Sequence, residues 1–118
     1  MKIYLAHSTD FDYKKELYEP LKNSELVDKH EFVFPHDNEN NLSSKDIIKN
    51  CNLIIADVSY PSIGVGVELG WAESFGIKII CIFKRGSRPS KSLRNLTLHF
   101  IEYSDTDHLI NELKEELL

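Results

Sequence analysis

The chain has few cysteines, little basic charge and no long apolar run, and each shortage removes a class of protein. The two cysteines among its 118 residues, Cys51 and Cys81, lie in or beside short apolar stretches and in no redox spacing. They read as small buried thiols in a reducing compartment and imply no disulfide framework. No metal-ligand spacing occurs, and neither a metal nor a cofactor is expected. No stretch approaches the roughly 20 apolar residues of a membrane helix. The opening Lys2-Ile3-Tyr4-Leu5-Ala6 reads as a strand and lacks the apolar region and cleavage site of a signal peptide, so the expected location is the cytoplasm. Lys and Arg number 14 against 19 Asp and Glu, a net charge of −5. Neither polymeric nucleic acid nor an anionic membrane suits such a balance, since both reward a basic face. There are no internal repeats.

What the chain does have is 42% hydrophobic residues, enough for the core of one domain over residues 1–118. Short apolar runs alternate with amphipathic segments. Strands are expected at Lys2–Ala6, Glu31–Phe34, Asn52–Ala56, Lys78–Phe83 and His99–Glu102, and helices at Asp10–Asn23, Ser43–Asn50, Ser62–Phe75 and Asp105–Leu117. The last helix is the best marked, with Leu109, Ile110, Leu113 and Leu117 in one stripe and Ser104 or Asp105 as its cap. Alternation of this kind calls for an α/β fold: a single doubly wound, flavodoxin-like domain whose five-stranded parallel sheet has order 2-1-3-4-5 and helices on both faces. Its ligand crevice lies where the strand order reverses, between the C-terminal ends of strands 1 and 3, with the end of strand 2, Phe34-Pro35-His36-Asp37, at the border. Two loops stand out. Asp37–Asn41 is polar and expected to be mobile, and Lys84–Arg94 is a basic excursion carrying Lys84, Arg85, Arg88, Lys91 and Arg94. Such a run suits a solvated loop as well as a phosphate site.

The most informative stretch is Ala56-Asp57-Val58-Ser59-Tyr60-Pro61-Ser62-Ile63-Gly64-Val65-Gly66-Val67-Glu68-Leu69-Gly70-Trp71. A buried strand ends at a carboxylate, Tyr60-Pro61-Ser62 breaks it, and a helix follows. Ser62 can cap that helix, while Gly64 and Gly66 remove side chains that would keep a ligand from its first turn. Two helical glycines cost roughly 1 kcal/mol each. Either a ligand comes close to the backbone there or the helix packs tightly on the sheet. Glu68, about two turns in, is a functional carboxylate or simply a solvated one.

Together with Ile3-Tyr4-Leu5-Ala6-His7-Ser8 and Ser87–Leu93, this stretch resembles the nucleoside 2-deoxyribosyltransferase superfamily, and within it the 2'-deoxynucleoside 5'-monophosphate N-glycosidases. The likeness follows the element order over nearly the whole chain, and Pro-Ser-x-Gly-x-Gly-x-Glu-Leu-Gly is its most specific part. It implies an enzyme that cleaves or transfers at an N-glycosidic bond of a nucleoside or nucleotide. Glu68 would attack the sugar and form a covalent glycosyl ester, as in retaining glycoside hydrolysis. By the same resemblance Tyr4 stands beside the nucleophile, and Ser8 and Ser62 hold the 5'-phosphate. Ser92 reaches that phosphate from a neighbouring subunit, which implies a homodimer with shared sites.

The chain also departs from that pattern. An Asp that assists the leaving base is replaced, by ungapped counting, with Ser44; the Gly before Ser8 is His7; and Asp10 stands where the monophosphate branch has an Arg, where a carboxylate would repel phosphate. His36, Asp37 and Asp57 are placed by position to supply the missing acid. His36 suits the role because imidazole in general exchanges protons near neutrality, although a loop histidine held by hydrogen bonds would look the same. His30, His99 and His108 have no such placement. A second class of function is therefore a nucleotide-binding protein of the same fold with reduced catalysis. More remote is a signalling module similar to response-regulator receiver domains, with Asp57 as phospho-acceptor. That reading needs an acidic pair after strand 1, where the chain has Ala6-His7-Ser8-Thr9.

Overall fold

In a computed structural model describing residues 1–37 and 43–118, the apolar runs form five strands: β1 (Lys2–His7), β2 (Glu31–Val33), β3 (Leu53–Asp57), β4 (Lys78–Lys84) and β5 (Phe100–Tyr103). All neighbours pair in parallel, in the order β2-β1-β3-β4-β5, which is the expected doubly wound topology. Every residue of β3 is buried, as a central strand covered on both faces requires. The expected loop at Asp37–Asn41 falls, beyond Asp37, outside the described residues.

Strand alternation divides the core into two layers. Ile3, Leu5, Leu53, Ile55, Ile80 and Ile82 point to one face, where Leu17, Leu21, Leu109 and Leu113 cover them. Tyr4, Ala6, Ile54, Ala56, Ile79 and Cys81 point to the other, under Ile48, Val65, Leu69 and Ala72. The helices thus sit on opposite sides: α1 (Glu19–Lys22) and α5 (Thr106–Leu117) on the first face, α3 (Ser44–Lys49) and α4 (Ile63–Ser74) on the second. Burial pushes the thiol of Cys51 up, and that of Cys81 to about 12, so both are inert apolar side chains.

Several boundaries differ from expectation for local reasons. The helix expected at Asp10–Asn23 starts at Lys14, runs as a π-helical segment over Lys14–Tyr18, and becomes α-helical only at Glu19. Pro20 is the cause: it has no N–H for the carbonyl of Glu16 and its ring crowds that carbonyl, so the preceding turn widens, with Glu19 N–H bonding Lys14 O. A short α2 (Leu26–Lys29) and a 3₁₀ turn at Lys91–Asn95 within the basic loop carry too little periodicity to be read from sequence. The caps were legible. Ser62 accepts from Val65 N–H at 3.2 Å and Asp105 from His108 N–H at 2.8 Å, so Asp105, rather than Ser104, caps α5. Gly76, at φ 71°, ends α4: its N–H bonds Glu73 O and the N–H of Ile77 bonds Ala72 O, a doubly bonded left-handed stop. Among the described residues no helix is long and apolar enough to cross a membrane.

Candidate active site

Tyr4 and Glu68 meet across the sheet–helix boundary. Tyr4 is an even-numbered residue of β1 and so faces α4, where Glu68 lies on the turn after the Gly64–Gly66 opening. The Tyr4 hydroxyl donates to Glu68 Oε2. Burial raises the Glu68 carboxyl above its usual range, while the bonds from Tyr4 and from the nearby Ser44 hydroxyl pull it back. Burial, and then the bond to Glu68, raise the Tyr4 phenol, which stays a proton donor. The result is a carboxylate fixed in one position and partly desolvated, opening on a cavity of about 480 Å³. Ser44, His36, His7, Thr9 and Trp71 line the same cavity, which sits at the expected topological switch point. Ser44 thus stands beside the carboxylate, the place at which an acid was expected.

The glycines face space rather than protein. A methyl group built on Gly66 would meet nothing within 4 Å, and one on Gly64 only Ser62 Oγ at 3.8 Å. Tight helix–sheet packing therefore does not explain them. Gly64 borders the Glu68 cavity, and Gly66 borders a second, of about 440 Å³, together with Ser62, Arg88, Ser90 and Ser92 of the same chain. Ser62 and Val65 line both cavities and form their common wall. The basic loop divides accordingly. Lys84 Nζ is held by Glu16 at 3.0 Å and Tyr60 Oη at 3.1 Å, and Arg85 pairs with Glu102 at 3.4 Å. Arg88 alone of the five stands at the Ser62 cavity, while Lys91 and Arg94 line a separate groove beside Phe83 and Phe100.

Of the residues singled out in the sequence, Tyr4, Glu68, His36, Ser62 and Gly64 come together in the first cavity, and Ser62, Gly66 and Ser92 in the second. Three do not join them. Asp57 shares its strand face with Leu53 and Ile55, opposite to Tyr4, and is 1% exposed; it accepts from Tyr103 Oη at 2.5 Å and Ser59 N–H at 2.9 Å. Its carboxylate is part of the core on the α5 side. Ser8 is also buried, and its hydroxyl accepts from Asp10 N–H at 3.0 Å in a local turn. Asp37, the other candidate acid, is paired with Lys22. Sequence reasoning missed Tyr18, a core residue whose hydroxyl reaches His7 Nε2 at 2.6 Å; no local pattern links residues 11 apart on a strand end and an irregular helix. Among the described residues no group of three or more His, Cys, Asp or Glu is placed to hold a metal ion.

Fold and site together define a flavodoxin-like α/β protein with a tyrosine-held carboxylate at its switch point. Such a protein is matched in sequence by nucleotide N-hydrolases. The chain is 34% identical over 82 residues to the 5-hydroxymethyl-dUMP N-hydrolase of Esox lucius, covering 68% of this chain and 56% of that one. It is likewise 34% identical over 73 residues to a Syntrophotalea carbinolica protein named for 2'-deoxynucleoside 5'-phosphate N-hydrolysis, covering 59% of this chain and 51% of that one. These relatives bear out the resemblance to the 2'-deoxynucleoside 5'-monophosphate N-glycosidase branch. The chain spans only about half the length of either relative. Among solved structures, a Clostridium botulinum CMP N-glycosidase, BcmB, superposes with a TM-score of 0.77 at 24% identity, covering 99% of this chain and 100% of that one. A conserved Enterococcus faecalis protein gives 0.70 at 15% identity over 99% of each chain; both likenesses establish the fold. No family model matches the chain.

Proposed function

We propose that this chain cleaves the N-glycosidic bond of a nucleoside 5'-monophosphate, with Glu68 as nucleophile. The observation that carries the reading is the Tyr4–Glu68 pair: a half-buried carboxylate, held by a phenol, at the edge of a cavity large enough for a sugar and base. Glu68 attacks the anomeric carbon as the bond to the base breaks, and the electron pair of that bond leaves on the base nitrogen. His36, on the cavity wall, protonates the departing base. Water then attacks the anomeric carbon, losing its proton to the base form of His36, and the bond from that carbon to Glu68 breaks to release the carboxylate. A second base in place of water would give transfer instead. Tyr4 keeps one oxygen of Glu68 aimed and tempers its charge in the ground state.

The phosphate belongs in the neighbouring cavity. Ser62 borders both, so a ligand with its sugar at Glu68 extends past Ser62 toward Gly66, Ser92 and Arg88. Arg88 then supplies the cation that Asp10 does not, and Ser92 acts from its own chain. We also infer a homodimer from the resemblance, but one in which each site draws on the Ser92 of its own chain rather than being shared through it. Ser8 serves this site indirectly through its backbone, and Asp57 serves the core.

The test is incubation with a panel of deoxyribonucleoside and ribonucleoside 5'-monophosphates and free nucleosides, with released base followed by chromatography. Base release that falls roughly 10⁴-fold in Glu68→Ala supports the mechanism. Release with no dependence on Glu68 would sink it. Ser44 in the place of the acid favours one other reading, a nucleotide-binding protein with reduced turnover. Thermal stabilisation by a monophosphate with no release from any compound would select that reading.

A further inference from the structure

Two imidazoles line the Glu68 cavity, His7 and His36, and they are held differently. His7 is 5% exposed, with Nδ1 at 2.8 Å from Ser8 O and Nε2 at 2.6 Å from Tyr18 Oη. A carbonyl oxygen only accepts, so Nδ1 carries a proton. Tyr18 Oη accepts from the backbone N–H of His36 at 3.2 Å, and its own proton goes to His7 Nε2. One hydroxyl therefore joins the end of β1 to the turn after β2. Both ring nitrogens of His7 are engaged, and the ring lies at centroid distances of 4.5 Å from Tyr13 and 5.1 Å from His36. His36 is exposed, on a turn that the Lys22–Asp37 pair also ties down.

We propose that Tyr18, which lies behind the cavity, is its positioning residue: its hydroxyl holds His7 as a neutral platform and fixes the backbone of His36, leaving His36 as the imidazole that exchanges a proton with the leaving base. The assignment rests on the N-glycosidase reading only in its last step. The groups that face His7 are Tyr13, just before the π-helical segment, Tyr18 at its end, His36 from the β2 turn and Asp57 from β3. Burial and His36 hold its imidazole below the usual range, against the opposing pull of the Ser8 carbonyl and Asp57. The neutral form is the one that accepts from Tyr18. Around His36 stand His7, Tyr13 and Asp37, with Glu68 across the cavity.

Side-chain nitrogen NMR of the whole chain tests the network without any substrate. The expected result is His7 protonated on Nδ1, with Nε2 accepting, and titrating below the ordinary 6.5. In Tyr18→Phe, which keeps the buried ring, the His7 titration moves upward and its single tautomer is lost, because the donor that favours the neutral ring is gone. In the same variant kcat for a cleaved monophosphate falls roughly tenfold, and the pH limb of kcat that His36→Gln abolishes is displaced. A wild-type His7 protonated on Nε2, or a His7 titration unmoved in Tyr18→Phe, would overturn the proposal. The expected NMR result with kcat and its pH limb unchanged in Tyr18→Phe overturns the positioning role. The expected NMR result in a protein that cleaves nothing overturns the N-glycosidase reading and the proton role of His36, and leaves the Tyr18 tie standing.

Discussion

In the proposed role of Glu68 as nucleophile, function and stability pull in opposite directions. Its carboxyl is raised above 4.5 by burial, so the native state favours the protonated form more than the unfolded chain does. The stabilisation this implies is complete below 4.5 and is lost as pH rises through the folded-state value. Glu68→Gln should therefore melt at a higher temperature than the parent at pH 7, with the difference shrinking below pH 4.5; calorimetric scans at the two pH values check it. Tyr4→Phe acts on the same group in a measurable way. Removing the donor lets the Glu68 carboxyl rise further, so the acid limb of kcat/KM moves to higher pH and kcat drops about 10²-fold. A pH–rate profile identical to the parent's would separate Tyr4 from the chemistry. At this scale the position of Glu68 on its capped, glycine-bearing helix was legible because that motif is local, whereas its meeting with Tyr4 joins residues far apart in the chain. The Asp57 candidacy was not decidable, since a strand residue's face depends on the register of the sheet.

At the scale of elements, α4 carries the site. Its cap, its glycines and its Glu are all within one stretch of sequence, and Ser62 does cap it. What sequence left open was whether tight packing on the sheet requires the glycines, and the space around Gly66 shows that it does not. Gly66→Ala should stabilise the helix by about 1 kcal/mol, because the added methyl clashes with nothing. It should also weaken monophosphate binding, because the methyl enters the Ser62–Arg88 cavity. Thermal melts paired with calorimetric titration of a monophosphate measure both; a stabilised variant with unchanged affinity would mean that the cavity is not the phosphate subsite. The first helical region shows the limit of periodicity. Leu17, Tyr18 and Leu21 are buried as a helix face demands, yet Pro20 turns the first part of that face into a π-helical segment.

For the whole molecule, the question is whether a second chain completes the site. Ser92 of each chain already lines the cavity shared with Ser62 and Gly66. We expect sedimentation to give a homodimer, and a mixture of Glu68→Ala and Ser92→Ala chains to stay as inactive as either alone. Recovered activity in the mixture would mean that Ser92 acts across the interface.

Sequence by itself determined the strand order, the two-layer core and the stretch that forms the site. For five apolar runs alternating with helices the commonest solution is a doubly wound sheet, and capping and glycine placement are local effects. Tertiary structure decided which polar groups meet. It turned Asp57 toward Tyr103, set Ser44 beside Glu68, sorted five basic side chains into pinned and open ones, and tied His7 to Tyr18. Those pairings join residues far apart in the chain through strand register and helix rotation, quantities that no short window of sequence contains.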